Sequence, residues 1–242
     1  MNFKFVHIAE TDSTNRWLKE HGDSEDIVVW TDYQTAGRGC GTNTWESERS
    51  KNLLMSVLVH PTNVSAQEQF ILSMTNALAL RDMLEKYTDG ISIKWPNDIY
   101  WKDSKICGTL IETTLAGSRI KDCIIGTGIN VNQQTFHSDA PNPISLAQIL
   151  GHETDLKQIL QEVVSHTASY MDRVNSGEWE EIRAEYRQSL YRKGEWHTYH
   201  IVGERTVRGQ LTDITNDGHL LLQMEGTTTL RSFAFKEVQF II

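Results

Sequence analysis

The sequence predicts an α+β protein: a mixed sheet flanked by helices, followed by a small β-barrel. Three observations predict it. Apolar, β-branched runs such as IVVWTD (27–32) and NLLMSVLV (52–59) read as buried strands. Between and behind them, apolar residues recur at helical spacing. After about residue 194 that spacing stops, and five short strand patterns follow, separated by the turn signals Gly203-Glu204, Asn216-Asp217-Gly218 and Glu225-Gly226.

Taken in order, residues 3–10 (FKFVHIAE) form an opening strand. Asp12 and Ser13 then stand where a helix N-cap belongs, ahead of TNRWLKEH. IVVWTD delivers the chain into a glycine-rich stretch, QTAGRGCGTNTW (34–45), and NLLMSVLV ends at His60-Pro61. Ser65-Ala-Gln-Glu68 has the form of a capping box, with Phe70, Ile71, Met74, Leu78 and Met83 behind it as a helical face. ISIKW (91–95) alternates, stops at Pro96 and resumes as IYW. KICGTLIETTL (105–115) and RIKDCIIGTGINV (119–131) are two further strands. Ser145-Leu-Ala-Gln148 is another capping box, closed by Gly151, and Leu156, Ile159, Leu160, Val163 and Val164 begin a long amphipathic helix reaching toward Gly177. EWHTYHIV, TVRGQLTDI, HLLLQM, TTTLRSF and VQFII supply the barrel. A boundary between Leu190 and Gly194 gives two expected domains, 1–192 and 193–242.

Composition narrows the function. The 242 residues are 39% hydrophobic and 23% charged, enough for a real core. A formal net charge of −9 argues against a protein that coats DNA, which needs a basic face. Cys40, Cys107 and Cys123 are scattered and odd in number, which fits reduced thiols in the cytoplasm better than a disulfide framework. The N-terminal MNFKFVHIAETDSTN has no long apolar run and nowhere do eighteen apolar residues run together, so neither a secretory signal nor a membrane span is expected.

Four stretches carry candidate chemistry. The loop at 34–45 packs three glycines around Arg38 and ends on Trp45. Glycines let backbone approach a ligand, the guanidinium suits an anion, and an indole can cover a flat ring. It is not a P-loop, because no lysine closely follows Gly41, and by itself it reads equally as a tight surface turn. In KWPNDIY (94–100), Lys94, Asn97 and Asp98 meet at a strand end, where ligands often bind, though a plain Pro-Asn-Asp turn explains the shape. Lys105, three residues before Gly108, is either a snorkelling edge residue or a point charge facing a carboxylate or phosphate. GTGINVN (126–132) offers Asn130 and Asn132, whose amides suit either a purine edge or a turn.

The order of these motifs is more specific than any one of them. STN at 13–15, Q-x-x-GRG…W, KWPND, K-x-x-G and G-x-GIN-x-N, with a small barrel after them, resemble the biotin–protein ligase family over essentially the whole chain. The resemblance implies a catalytic fold like that of class II tRNA synthetases and an SH3-like C-terminal barrel. It also implies ATP and Mg²⁺ as cofactors, biotin as substrate, biotinyl-5′-AMP as intermediate, and the lysine of a biotin carboxyl carrier domain as acceptor. It assigns Ser13, Thr14, Asn15 and Gln34 to the ureido ring, and Arg38, Gly39, Cys40, Lys105 and Gly108 to the remainder of biotin. Arg38, Trp45, Lys94, Asn97, Asn130 and Asn132 fall to ATP. Lys105 is the implied catalytic lysine, beside Arg38 of the loop, and Asp98 completes the expected catalytic set as a candidate, read from the chemistry, for orienting the acceptor amine or easing its deprotonation. It names no metal ligands.

Two departures stand out. The family loop is often GRGRRGRxW, whereas this chain has GRGCGTNTW. Fewer cations predict looser retention of the adenylate unless Arg49 or Lys51 folds in. The first motif begins at Asp12, so no operator-binding helix-turn-helix and no DNA partner are expected. Rival readings are a lipoate–protein ligase and a non-catalytic nucleotide-binding relative. A biotinylated carrier is excluded by the lack of a Met-Lys-Met acceptor motif. Strand 119–131 is a candidate pairing edge for a homodimer, although nothing in the sequence requires one.

Overall fold

The structure, a computed structural model, describes residues 1–137 and 142–242. Seven strands form the large sheet: β1 (Lys4–Ile8), β2 (Ile27–Thr31), β3 (Leu53–Val59), β4 (Ile91–Lys94), β5 (Asp98–Trp101), β6 (Ser104–Ala116) and β7 (Arg119–Ile129). Their spatial order is β1-β2-β3-β7-β6-β5-β4. Only β1 and β2 run parallel; every other neighbouring pair is antiparallel. The sheet is therefore mixed, as its strand patterns predict.

Strand β3 shows how the sheet sorts its faces, because successive side chains point to opposite sides. Leu53, Met55, Val57 and Val59 join the main core, whereas Leu58 joins Leu18, Ile27, Val29 and Ile124 beneath α1 (Thr14–His21). The main core lies under α2 (Phe70–Glu85) and α4 (Leu156–Ser176), with α5 (Trp179–Gln188) packed beside α2. Twelve of the residues of α2 are buried, so it is apolar on nearly every side and sits inside the protein. Each buried Leu or Met there contributes about 2 kcal/mol through area removed from water.

Local signals are mostly realised. Ser145 and Gln148 form a reciprocal capping box at the start of α3 (Leu146–Leu150), and Gly151 and Gly177 end α3 and α4 in the left-handed region. Ser65 behaves otherwise. It precedes a 3₁₀ turn at Ala66–Glu68, and its hydroxyl bonds the Glu68 side chain at 2.8 Å instead of a backbone amide. The helix proper starts only at Phe70. Helix α5 follows so soon after Gly177 that its pattern merges with that of α4 in the sequence.

Strand β7 is not an edge. Residues Cys123–Ile129 pair with β3 on one side and β6 on the other, so the expected dimer edge at 119–131 is corrected; the sheet's edges are β1 and β4.

The remaining strands, β8 (Trp196–Ile201), β9 (Thr206–Ile214), β10 (Leu220–Met224), β11 (Leu230–Phe233) and β12 (Val238–Phe240), form a second sheet in the order β11-β10-β9-β8-β12. It docks beside β4 and β5. Trp95 Nε1 donates to Gly218 O at 2.9 Å, Arg192 to Ile241 O at 2.9 Å, and Tyr191 lies between the rings of Tyr100 and Phe240. No described helix is long and apolar enough to cross a membrane.

Candidate active site

A cleft of about 580 Å³ opens between the start of α1, the glycine-rich loop, the β4–β5 turn, the faces of β6 and β7, and Phe235 of the small sheet. One end is neutral and rich in directed hydrogen bonds. Ser13, Thr14 and Asn15 are buried there. Gln34 Oε1 accepts from Thr14 N at 2.9 Å and from Thr14 Oγ1 at 3.1 Å. With its carbonyl committed, Gln34 carries its amide nitrogen toward Gly37 as a donor. Ser56 Oγ lies 2.7 Å from Thr14 Oγ1 and 2.6 Å from Asn15 Oδ1, and donates to one of them at a time. Asn15 Nδ2 donates to Leu110 O at 3.2 Å and to Glu112 Oε2 at 2.9 Å.

The other end is cationic. Lys105 Nζ meets Asp98 Oδ2 at 2.7 Å, both side chains half-buried, and lies 5.9 Å from the centre of the Trp45 ring. Lys94 Nζ sits 5.3 Å from the Tyr100 ring and 5.1 Å from the Phe240 ring. Burial lowers its pKa, the charges of Lys105 and Arg192 lower it further, and Asp98 offsets only part of this. An anion entering here would relieve that cost. Arg38 reaches Glu112 Oε2 at 2.9 Å, and Lys19 reaches Glu112 Oε1 at 2.7 Å. Burial opposes ionisation of Glu112, but hydrogen bonds from Lys19 and Asn15 and the charges of Arg38 and Lys19 outweigh it, holding the carboxyl below its ordinary range.

The loop between the two ends is a tight hairpin. Arg38 bridges Thr44, Gly39 N donates to Asn43 O at 2.8 Å, and Trp45 N donates to Gly37 O at 3.0 Å. The Trp45 indole lies on Gly108 and Gly128, which are paired in register across β6 and β7. A Cβ at Gly108 would fall 2.7 Å from Trp45 Cζ3, and one at Gly128 only 2.6 Å from Trp45 Nε1. These two glycines therefore make the floor on which a flat ring rests. Trp45 Nε1 and Arg38 Nε are buried without acceptors. Buried donors are nearly always satisfied in native proteins, so both are suited to acceptor atoms of a ligand.

Every residue the sequence assigns to the site lines this cleft except Asn132. Asn132 borders a separate cavity and exchanges both amide groups with Thr154, at 2.8 and 2.9 Å, so its assignment to ATP is corrected. Asn130 is buried on the cleft wall, with Nδ2 donating to Ile144 O at 3.2 Å. Neither Arg49 nor Lys51 folds in. Arg49 pairs with Glu10 and covers Tyr33, while Lys51 pairs with Glu153 at 2.6 Å. Sequence reasoning missed Ser56, Glu112 and Phe235. Ser56 is the lone polar residue of the wholly buried β3, and Glu112 follows Gly108 and Leu110 at the strand period, so both left a signal. Phe235 left none.

The described residues hold no cluster of three metal-ligating side chains. Asp98 and Glu46 are the carboxylates on the cleft wall. Mg²⁺ commonly takes one or two carboxylates plus substrate phosphates, so this set fits an ion that arrives with a nucleotide.

Comparisons with known proteins agree with this geometry. The chain is 33% identical over 164 residues to the bifunctional ligase/repressor BirA of Bacillus subtilis, covering 65% of this chain and 49% of that protein. It thus spans about half the length of that relative. It is 26% identical to the biotin–[acetyl-CoA-carboxylase] ligase of Mycobacterium tuberculosis, covering 93% of this chain and 85% of that one. The biotin protein ligase from Aquifex aeolicus in complex with biotin and ATP superimposes with a TM-score of 0.82 at 26% identity, over 98% of this chain and 99% of the other. A sequence profile described as the biotin/lipoate A/B protein ligase family matches residues 7–130, just over half of the chain, and the chain belongs to that family.

Proposed function

We propose that the protein is an ATP-dependent biotin–protein ligase, which makes biotinyl-5′-AMP and pyrophosphate and then transfers biotin to a lysine of a carboxyl carrier domain. The observation that carries this reading is the polarity of one cleft. A pocket of directed donors and acceptors at Ser13–Asn15 and Gln34 stands opposite Arg38, Lys94 and Lys105, with the Trp45 ring between them. A ureido ring presents one acceptor oxygen and two N–H donors, and so satisfies the first end. The dithiolane ring of lipoate satisfies none of those groups, and a site built for hydrogen bonds rejects partners that leave them unpaired.

In the first step a carboxylate oxygen of biotin attacks the α-phosphorus of ATP, and the bond to pyrophosphate breaks. Two anions must meet, so Lys105 and Arg38 act by preorganised positive charge where negative charge accumulates. Lys94 supports the same end, and Asn97 and Asn130 border the nucleotide. Mg²⁺ bound with the nucleotide would neutralise charge on the leaving pyrophosphate. The glycine-rich hairpin, with Gly39 and Cys40, shields a hydrolysable mixed anhydride from water. In the second step the acceptor amine attacks the acyl carbon, AMP leaves, and Asp98 orients the amine and eases loss of its proton. Residues 1–192 then constitute the catalytic unit and 193–242 its appendage. The unpaired Cys40, Cys107 and Cys123 suit a cytoplasmic setting.

The test is pyrophosphate release from ATP and Mg²⁺ with biotin, with lipoate and with no acid, followed by label transfer to a biotin carrier domain. Release with biotin alone, then transfer, is the expected result. Stimulation by lipoate overturns the pocket assignment, and no stimulation by either acid overturns the enzymatic reading.

A further inference from the structure

All seven residues of β3 are buried, and Ser56 is the one among them that carries a hydroxyl. It is fully enclosed, so its hydrogen must go to a neighbour. Two acceptors stand within reach, Thr14 Oγ1 at 2.7 Å and Asn15 Oδ1 at 2.6 Å. The rest of the network decides which way each of those groups faces. Thr14 directs both its backbone N–H and its hydroxyl hydrogen to Gln34 Oε1. An amide oxygen only accepts, so Thr14 Oγ1 is left with lone pairs for its other neighbours. Asn15 directs both Nδ2 hydrogens to Leu110 O and the Glu112 carboxylate, which also only accept. Its Oδ1 therefore turns to Ser56. That oxygen lies directly over Gly126, the residue paired with Ser56 across β3 and β7, where a Cβ would overlap it.

The polar side-chain hydrogens of Ser56, Thr14 and Asn15 are thus all consumed inside the network. What Thr14 and Asn15 turn toward the cleft they line is lone pairs. From this wiring we infer that Ser56 is a positioning residue that sets the hydrogen-bond polarity of the neutral end of the cleft. It touches no ligand. With a single hydrogen serving two acceptors by turns, it holds Thr14 and Asn15 as an accepting wall, while Gln34 Nε2 stands by as a donor. Such a wall selects a cyclic urea, whose ring N–H groups meet the lone pairs, over rings that carry oxygen or sulfur at those positions. This rests on the biotin-dependent function proposed above and deepens it: discrimination at the ring is set behind the cleft wall, inside β3.

The experiment measures binding by calorimetry to the full chain as wild type, Ser56→Ala and Ser56→Thr. The ligands are biotin, a non-hydrolysable ATP analogue, and the two carbamate analogues of biotin in which one or the other ureido N–H is replaced by oxygen. Ser56→Ala should weaken biotin binding about tenfold, as loss of a buried hydrogen bond that orients others. Wild type should bind at least one carbamate about tenfold or more weakly than biotin, because an oxygen then faces lone pairs. That carbamate should lose no more than about twofold in Ser56→Ala, which gives a coupling of about fivefold between Ser56 and the ring N–H. Nucleotide affinity should stay within about twofold, and in pyrophosphate release the loss should appear in the KM for biotin far more than in kcat. Ser56→Thr restores the hydroxyl and should stay within about threefold of wild type. Wild-type biotin affinity in Ser56→Ala overturns the inference. So does an equal loss for biotin and both carbamates, or for the nucleotide, since either marks a loosened strand. Wild-type acceptance of both carbamates as tightly as biotin overturns it without any variant. A wild-type protein that binds no biotin overturns the proposed function itself, and this separates the two failures.

Discussion

Arg38 and Glu112, 74 residues apart in sequence, meet at 2.9 Å beside the cleft, and the same carboxylate accepts from Asn15 and Lys19. Glu112 thereby joins the hydrogen-bonding end of the site to its cationic loop. One anion fixes the position of the Arg38 guanidinium and of the Asn15 amide.

Because the Glu112 pKa is held below its ordinary value of 4.5, the cluster stabilises the fold above that value and loses its contribution as pH falls through the folded-state pKa. Glu112→Gln should lower stability near neutrality by about 1 kcal/mol, a small figure because the group is only half-buried. Thermal melts between pH 7 and 3 should show wild type and variant converging below about pH 4.5. A constant offset across that range would mean the pairing contributes nothing through charge.

The glycine floor yields a second expectation. Gly128→Ala places a methyl group inside the volume of the Trp45 ring, while the strand ladder of β7 tolerates alanine. Stability should drop by only about 1–2 kcal/mol, the cost of modest overpacking. Biotin-dependent pyrophosphate release should fall at least about tenfold, with a change in tryptophan fluorescence as the indole is pushed off β6 and β7. Full activity with an unchanged spectrum would show that the indole has no part in the cleft.

Lys105 and Asp98 form the most enclosed ion pair on the cleft wall, at 2.7 Å. Lys105→Gln should cut adenylation by about 10²–10³-fold while biotin still binds within a few-fold, the signature of charge used in the transition state. Asp98→Asn should slow transfer to the carrier more than pyrophosphate release. Equal losses in both half-reactions of Asp98→Asn would reduce Asp98 to a partner of Lys105.

Cys40 stands where the family loop often carries arginine, and neither Arg49 nor Lys51 reaches the cleft to replace it. Cys40→Arg should slow release of biotinyl-AMP about tenfold, as one added charged contact would. A filter-retention time course measures it, and an unchanged off-rate would show that the arginine-poor loop does not govern retention.

By itself the sequence determined most of the fold's elements, because strand alternation, helical spacing and capping residues act over a few positions. The capping box at Ser145, the left-handed Gly151 and Gly177, and the five strands after residue 194 all follow from such local terms. It also held the site motifs in order, since Ser13–Asn15, Gln34, Arg38, Lys94–Asp98 and Lys105 come together in one cleft. Where local terms were ambiguous it failed. The Ser65 box formed a 3₁₀ turn instead of capping α2, and α5 was hidden behind α4. Strand order is set by hydrogen bonds between distant segments, so only the tertiary structure could put β7 at the centre of the sheet. The same holds for Asn132, which is consumed by Thr154, and for Glu112, whose partners lie on α1 and the loop. It holds most of all for Lys236, whose ammonium reaches Gly41 across nearly two hundred residues of chain. Contacts of that kind are made by packing one sheet against another, and no local pattern of residues encodes them.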